Sequence, residues 1–244
     1  MPMIEDAVRG VLPAPLPIRG RLDGSLPRTG ELSPDSVATA LGLGSEPTFQ
    51  IPDLVAIRPP KLCAGCAHAG TYAFLKQALA HHADARVLSD IGCYTLGALS
   101  PYQAIDTCVD MGASITMAKG AADAGLRPSI AVIGDSTFTH SGITGLLNIV
   151  YNRSPATCIV VDNRTTAMTG HQEHPGTGCT LQGQETASAS IEAIARACGM
   201  TRIQVVNPYD IAATTRVLQE ELSAQEPSLI ISRAPCVLKE KKAI

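Results

Sequence analysis

The chain has 244 residues, which is enough for one large domain or two small ones. Its hydrophobic fraction of 45%, with 3% aromatic residues and no tryptophan, indicates a core built from Ala, Val, Ile, Leu and Gly. The net charge of −3, with no basic cluster beyond the Lys239–Lys242 tail, argues against nucleic-acid binding. Because no apolar run approaches the roughly 20 residues of a membrane span and no signal-like segment opens the chain, we expect a cytoplasmic protein without a membrane partner.

The beginning of the chain is rich in proline and has little hydrophobic periodicity. One helix is predicted there, running to Leu43, because Ser33 can cap a helix whose first residue is Pro34. The remainder is expected to be irregular, as in a linker or arm that continues from a preceding domain. We therefore expect three segments: an arm over residues 1–57, a folded domain over 58–238 and a basic tail over 239–244.

Downstream of the arm, short runs of β-branched residues alternate with segments of helical length. Such runs predict buried parallel strands, which need helical crossovers to connect them. We therefore expect an α/β fold with an open, mostly parallel sheet and helices on both faces. The predicted strands cover residues 86–90, 129–134, 157–162, 202–206 and 228–232. The predicted helices end near residue 81, lie within 106–124, and cover 142–151, 191–199 and 211–222.

Two neighbouring strands end on polar turns that together predict a metal site. Asp135 follows one strand, and Asn163 follows the next, 28 residues later. Their side-chain oxygens, with the backbone carbonyl of Thr165, are ligands that suit Mg²⁺, which takes its remaining ligands from water and phosphates. The first turn leads into a helix whose free N–H groups favour an anion, so we predict a diphosphate–Mg²⁺ site. The residues of that turn are Gly134, Asp135, Ser136 and Thr137. Because Gly-Asp turns are common at strand ends, the motif taken alone leaves an ordinary turn open.

Four of the eight cysteines follow a pattern that suggests a metal cluster. Cys63 and Cys66 form a C-x-x-C pair before a predicted helix, Cys93 follows the first predicted strand, and Cys236 follows the last. These positions can supply four soft ligands for a [4Fe–4S] cluster, although a zinc site, a redox dithiol and simple packing remain alternatives. The other four are expected to be ordinary thiols: Cys108, Cys158, Cys179 and Cys198.

Two histidines are candidates for catalysis. His68 and His140 each follow a motif loop at the predicted carboxyl edge of the sheet, where an imidazole can orient a diphosphate oxygen or move a proton. His171 and His174 lie three residues apart after the predicted metal loop, but no acidic residue accompanies them in a zinc-binding pattern.

Four long sequence segments around these positions resemble those of a known protein family. SDIGCYTLG, DTCVDMGASI, AVIGDSTFTHSGITGL and VDNRTTAMTGHQEHPGTG are similar to the thiamine-diphosphate-binding domain of the alpha subunit of indolepyruvate:ferredoxin oxidoreductase. The resemblance extends from about Leu26 to Leu238. Two departures from the usual thiamine-diphosphate motif are visible, since Ser136 replaces a glycine and Asp162 replaces an asparagine.

The resemblance implies a reaction and a set of cofactor contacts. It implies oxidative decarboxylation of indolepyruvate or another aryl 2-oxoacid on thiamine diphosphate and Mg²⁺, with electrons passed through a [4Fe–4S] cluster to ferredoxin and the acyl group to coenzyme A. Met168 stands where related pyruvate enzymes have a substrate-contacting asparagine, and its thioether favours an aryl side chain. The cysteine layout also resembles the proximal-cluster ligands of those enzymes. The expected cofactor-binding residues are Gly92, Cys93, Tyr94, Gly134, Asp135, Ser136, Thr137, Asn163, Thr165, Met168 and Thr169.

The resemblance also implies partners. In this superfamily the glutamate that activates the cofactor belongs to a pyrimidine-binding domain, so we expect that domain or subunit, together with a beta subunit, to complete the enzyme. The chain alone should bind cofactor weakly. Two alternatives stay open: a non-oxidative thiamine-diphosphate decarboxylase subunit, which lacks iron, and a non-catalytic remnant, which does not bind the cofactor even with its partner.

Overall fold

The structure is a computed structural model that describes residues 2–12, 16–44, 52, 54–56 and 58–240. The chain divides into two compact units, residues 1–58 and 59–244. Among the described residues, no helix is both long enough and apolar enough to cross a membrane. The predicted basic tail lies outside the described residues from position 241 onward.

The first unit contains two helices, α1 (Pro2–Val11) and α2 (Pro34–Ala40). The start of α2 is as predicted, because the Ser33 hydroxyl accepts a hydrogen bond from the backbone N–H of Ser36 at 3.2 Å. The helix ends at Ala40 rather than at Leu43.

Helix α1 was not predicted. Its Glu5 carboxylate accepts hydrogen bonds from the backbone N–H groups of Arg21 at 2.7 Å and Leu22 at 2.9 Å. These contacts join the helix to a loop more than ten residues away, and a local sequence pattern does not reveal them.

The second unit is built on one sheet of six parallel strands, in the order β2-β1-β3-β4-β6-β5. This confirms the α/β prediction and all five predicted strands. The additional strand β2 has only two residues and takes up the beginning of the segment that was predicted to contain a helix. The strands are β1 (Arg86–Ser89), β2 (Thr107–Cys108), β3 (Ser129–Gly134), β4 (Ala156–Asp162), β5 (Arg202–Val206) and β6 (Ser228–Arg233).

Helices cover both faces of this sheet, as expected. On β3, Ala131 and Ile133 pack against one group of helices, and the alternate residues Ile130 and Val132 pack against the other. The first face carries α4 (Ala113–Asp123), α6 (Ile143–Asn152) and α7 (Ile191–Ala197), and the second carries α3 (Ala67–Ala78) and α8 (Ile211–Ala224). Short helical segments complete the unit: a 3₁₀ turn (Cys93–Ala98), α5 (Asp135–Thr137), a π-helical turn (Phe138–Gly142) and α9 (Val237–Glu240).

The strand order determines where a ligand can bind. From β1 the chain continues outward to β2 on one side, whereas β3 and β4 follow on the other side. The order therefore reverses between β1 and β3, and the loops that leave the carboxyl ends of these strands diverge to form a crevice. Gly134 of β3 pairs in register with Val161 of β4, so the loops after these two strands emerge side by side.

Candidate active site at the carboxyl edge of the sheet

A cavity of about 90 Å³ lies at this crevice, lined by the loops that follow β1, β3 and β4. It is smaller than the roughly 300–1,000 Å³ of pockets that enclose a whole drug-sized ligand, so these residues surround part of a molecule of that size. All the residues predicted to bind the cofactor line this one cavity: Gly92, Cys93, Tyr94, Gly134, Asp135, Ser136, Thr137, Asn163, Thr165, Met168 and Thr169.

The turn after β3 places a buried carboxylate at the cavity wall. Asp135 Oδ1 accepts a hydrogen bond from the backbone N–H of Ser136 at 2.8 Å, and Oδ2 accepts one from the backbone N–H of Arg164 at 2.7 Å. A Cβ atom at the preceding Gly134 would lie 2.6 Å from Cε1 of Tyr94, so only glycine fits beneath that ring. The carboxylate is therefore fixed between the loops that follow β3 and β4.

The turn after β4 adds two further oxygen donors. The buried Asn163 Oδ1 accepts a hydrogen bond from the backbone N–H of Thr165 at 3.2 Å. The Thr165 hydroxyl is buried at the cavity and has no hydrogen-bond partner among the residues that the structure describes. A carboxylate, an amide oxygen and a free hydroxyl suit Mg²⁺ held together with a phosphate group, so the residues present fit this cofactor.

No group of three or more His, Cys, Asp or Glu side chains placed to hold a metal ion occurs among the residues that the structure describes. The Mg²⁺ set inferred from the sequence contains one such side chain, Asp135, since its other members are an amide and a backbone carbonyl. Phosphate oxygens and water are the usual remaining ligands of Mg²⁺.

Ser136 and Asp162, the two departures from the usual thiamine-diphosphate motif, each form a side-chain hydrogen bond. The Thr166 hydroxyl donates to the Ser136 Oγ at 2.9 Å and so joins the loop after β3 to the loop after β4. The buried Asp162 accepts a hydrogen bond from Arg233 Nε at 2.6 Å, and Arg233 also bonds Glu192. The first contact thus joins the turns after β3 and β4, and the second joins the end of β4 to the end of β6.

The loop after β1 forms the opposite wall. The Tyr94 hydroxyl donates to the buried Asp90 carboxylate, which also accepts from the Ser114 hydroxyl at 2.6 Å and the backbone N–H of Gly112 at 3.2 Å. Burial raises the pKa of Asp90, and these hydrogen bonds oppose the increase. This network anchors the Gly92–Tyr94 segment to the start of α4.

The two candidate histidines have different positions. His68 is buried in α3, lines the cavity and contacts Tyr94 edge to face at 6.2 Å between ring centroids. Burial lowers the pKa of His68 to about 4, against an opposing effect of the Asp135 charge, so this imidazole is neutral at pH 7. His140 is exposed and does not line the cavity, because Phe138 and Gly142 occupy the buried side of the π-helical turn. The expectation for His140 is therefore corrected.

The four cysteines predicted to bind a cluster belong to three adjacent backbone segments. The N–H of Cys66 donates to the Cys63 carbonyl at 3.1 Å, and the N–H of Cys236 donates to the Asn163 carbonyl at 3.1 Å. The pKa of Cys93 is raised to about 11, first by burial and then by the charges of the other three thiols. Only Cys236 has a backbone contact with the turn that carries Asn163. Among the described residues no three of these cysteines are placed to hold one metal ion, so the cluster stays a prediction.

The fold and the site define a class of protein. The chain belongs to the thiamine pyrophosphate enzymes, as their C-terminal TPP binding domain, whose family model matches residues 90–232. Thiamine pyrophosphate is another name for thiamine diphosphate, so the match agrees with the cofactor inferred from the sequence.

Within the thiamine pyrophosphate enzymes, the chain is similar to subunits of indolepyruvate oxidoreductase. The chain is 40% identical over 232 residues to the indolepyruvate oxidoreductase subunit IorA of Methanothermobacter marburgensis, and 37% identical over 233 residues to IorA of Archaeoglobus fulgidus. Each match covers 91% of this chain but 37% of the relative, so the chain spans just over a third of their length.

A solved structure supports the fold. The 2-oxoglutarate:ferredoxin oxidoreductase from Magnetococcus marinus, with 2-oxoglutarate, coenzyme A and succinyl-CoA bound, matches with a TM-score of 0.64 and 17% identity. The match covers 74% of this chain and 66% of that one.

The sequence did not predict the roles of Thr166, Arg164 or His174. His174 Nε2 lies 3.3 Å from Asp135 Oδ2, and this acidic neighbour comes from another strand end rather than from the sequence around the histidine. Local sequence spacing does not predict this contact, because the two residues are distant in the chain.

Proposed function

We propose that this chain supplies the diphosphate- and Mg²⁺-binding part of a thiamine-diphosphate-dependent oxidoreductase that acts on indolepyruvate or a similar aryl 2-oxoacid. One observation carries the proposal: a single cavity at the strand-order reversal gathers every residue that the sequence pattern assigned to the cofactor. The similarity to IorA subunits supplies the reaction class and the substrate.

The chain's own residues act by holding the cofactor. Asp135, Asn163 and the Thr165 carbonyl would hold Mg²⁺. The Thr165 hydroxyl, which has no hydrogen-bond partner among the described residues, would be available to the diphosphate. Thiamine diphosphate, when bound, supplies the nucleophilic carbon and the electron sink for decarboxylation of a 2-oxoacid. The neutral His68 is placed at the same cavity to accept or share a proton.

The substrate assignment depends on the rim of the cavity. Met168 lines it with its side chain half exposed, on the loop that also carries Thr169. An apolar, flexible thioether at this position packs against an aryl group and gives no hydrogen bond to a small polar acid. Indolepyruvate or another arylpyruvate is therefore the proposed substrate.

An iron–sulfur cluster is part of the proposal. Cys63, Cys66, Cys93 and Cys236 would supply four thiolates, the ligand set of a [4Fe–4S] site, and Cys236 follows the Asn163 turn. Each thiolate of such a cluster binds a different iron, so its cysteines need not converge on one ion. Such a cluster, when bound, would supply one-electron transfer, and we propose ferredoxin as its acceptor and coenzyme A as the acceptor of the acyl group.

The proposed enzyme also needs partners. The relatives are named as subunits, and the cavity of this chain encloses only part of a cofactor-sized molecule. We propose that a pyrimidine-binding domain or subunit carrying the activating glutamate closes over the carboxyl edge, and that a beta subunit completes the enzyme.

Iron and acid-labile sulfide, measured on protein purified without oxygen, test the oxidoreductase assignment. About four irons per chain are expected. The Cys93→Ala and Cys236→Ala variants should lose them, whereas Cys179→Ala, which removes a thiol outside the quartet, should retain them. Iron-free wild-type protein that still binds thiamine diphosphate with Mg²⁺ would instead indicate a non-oxidative decarboxylase subunit.

A further inference from the structure

The buried imidazole of His174 contacts Asp135, the proposed Mg²⁺ ligand, from outside the cavity described above. The His174 side chain, on the loop that follows β4, is only 4% exposed, and its Nε2 lies 3.3 Å from Oδ2 of Asp135, whose side chain is 5% exposed. The imidazole does not belong to the lining of the cofactor cavity. It therefore contacts the carboxylate without being placed to touch the cofactor.

The orientation of the ring can be assigned from its other nitrogen. The backbone N–H of Gly176 donates to Nδ1 of His174 at 3.2 Å, so Nδ1 carries the lone pair and Nε2 carries the proton. Although Nε2 is buried, no aligned hydrogen-bond partner for it occurs within the described part of the chain. A buried N–H donor thus lies 3.3 Å from Oδ2 of Asp135, the nearest acceptor that the structure shows for it.

Arg164 contacts both the loop that carries His174 and the carboxylate of Asp135. The carbonyl of Gly176 accepts hydrogen bonds from Arg164 Nη1 at 3.1 Å and from the Ser188 hydroxyl at 2.8 Å. The backbone N–H of Arg164 donates to Asp135 Oδ2 at 2.7 Å. A Cβ atom at Gly176 would lie 2.9 Å from the His174 ring, so the ring closely covers this glycine. The imidazole and the carboxylate are therefore positioned by one connected set of contacts.

We propose that His174 is a positioning residue for the metal site: its Nε2–H, together with the Arg164 N–H, contacts Asp135 Oδ2 and keeps the carboxylate in the orientation in which it would hold Mg²⁺. This inference rests on the proposed function. Hydrogen bonds to a ligating carboxylate fix its orientation, and their loss typically lowers metal affinity by about 10–100-fold.

Two substitutions separate this role from simple packing. In His174→Asn, the side-chain oxygen replaces Nδ1 and can still accept from the Gly176 N–H, but the donor to Asp135 is lost. In His174→Gln, the amide nitrogen replaces Nε2 and keeps that donor, but the acceptor for Gly176 is lost. His171→Asn is the matched control, because it alters the same loop at a residue whose left-handed backbone (φ 66°) asparagine tolerates.

The readout is binding of Mn²⁺, as a probe for Mg²⁺, in the presence of thiamine diphosphate, followed by the electron paramagnetic resonance signal of free Mn²⁺. His174→Asn should bind Mn²⁺ at least about tenfold more weakly than wild type. His174→Gln and His171→Asn should stay close to wild type. Urea midpoints of the metal-free proteins should rank the two His174 variants in the opposite order, because only His174→Gln loses the Gly176 bond.

The outcomes distinguish the two proposals. Wild-type Mn²⁺ affinity in His174→Asn, or an equal loss in both His174 variants, would overturn the role of His174 and leave the proposed function standing. If wild-type protein with saturating thiamine diphosphate and the pyrimidine-binding partner binds no Mn²⁺, the proposed metal site fails and this inference fails with it. Should His174→Asn not fold, His174→Gln decides, since retained affinity supports the role and a loss of affinity overturns it.

Discussion

Two buried aspartates at neighbouring strand ends have opposite surroundings. Asp162 ends β4 and pairs with Arg233 at 2.6 Å and Arg164 at 3.4 Å. Asp135 follows β3 and accepts hydrogen bonds from two backbone N–H groups, and among the described residues no lysine or arginine pairs with it. One carboxylate is thus neutralised by the protein, and the other keeps its charge available.

This difference supports the proposal that Asp135, rather than Asp162, holds the metal. A buried charge without a cationic partner is costly unless a metal or another cation compensates it. Asp135 also lines the cofactor cavity, whereas Asp162 does not. Asp135 is therefore the acid that we propose as a ligand of Mg²⁺, whereas Asp162 pairs with arginines at the end of β4.

The substitution Asp135→Asn tests the first half of this comparison. Asparagine keeps an oxygen for the Arg164 N–H but removes the charge that attracts the metal. Mg²⁺-dependent binding of thiamine diphosphate should weaken at least about 100-fold, equivalent to about 2.7 kcal/mol, in a calorimetric titration. The urea midpoint should change little, and a variant that binds like wild type would contradict the assignment of Asp135.

The substitution Asp162→Asn tests the second half. It removes the charge that pairs with Arg233 and leaves that guanidinium with Glu192 alone. The free energy of unfolding should fall by about 1–3 kcal/mol, measured by urea denaturation. Metal affinity should fall less than in Asp135→Asn, and a reversed order of the two binding losses would refute the distinction between the two acids.

A smaller effect is expected from Ser136→Gly, which restores the glycine usual in the thiamine-diphosphate motif. The variant loses the hydrogen bond from the Thr166 hydroxyl, so unfolding should become easier by about 1 kcal/mol. Thr166→Val removes the same hydrogen bond from the other side, and the double variant should cost little more than either single one. Additive losses would show that the two hydroxyls do not act as a pair.

The smallest expected effect concerns pH. The hydrogen bond from Arg233 lowers the pKa of Glu192 from 4.5 to about 2, so this pair stabilises the fold above about pH 4.5 and loses its contribution as the pH falls toward 2. Glu192→Gln should be about 0.5–1 kcal/mol less stable than wild type near pH 7. Urea midpoints of the two proteins should converge below pH 4.5, and a constant difference down to pH 3 would disprove the linkage.

Much of the fold could be predicted because most of its strands are runs of apolar, often β-branched residues, a pattern that is visible in the local sequence alone. The two-residue strand β2 is too short to show such a pattern. Helix α4 begins only at Ala113, after Gly112 adopts a left-handed backbone with φ 94°. Helix α1 is held by Glu5 contacts to a distant loop. The missed elements thus depend on contacts or turns rather than on periodicity.

The residues of the candidate site likewise fall into those that local sequence could place and those that depend on tertiary contacts. Gly134, Asp135 and Asn163 could be placed together from sequence because they end adjacent parallel strands, whose carboxyl ends share one edge. The exposure of His140 depends on a π-helical turn, and the contact of His174 with Asp135 depends on how a long loop folds back. Neither feature is encoded in local spacing.

The most direct test of the account is a calorimetric titration of the wild-type chain with thiamine diphosphate, performed once with Mg²⁺ and once with a chelator. We predict saturable binding that requires Mg²⁺ and disappears when the metal is removed. Binding that is indifferent to Mg²⁺, or no binding at saturating cofactor with Mg²⁺ and the pyrimidine-binding partner present, would contradict it.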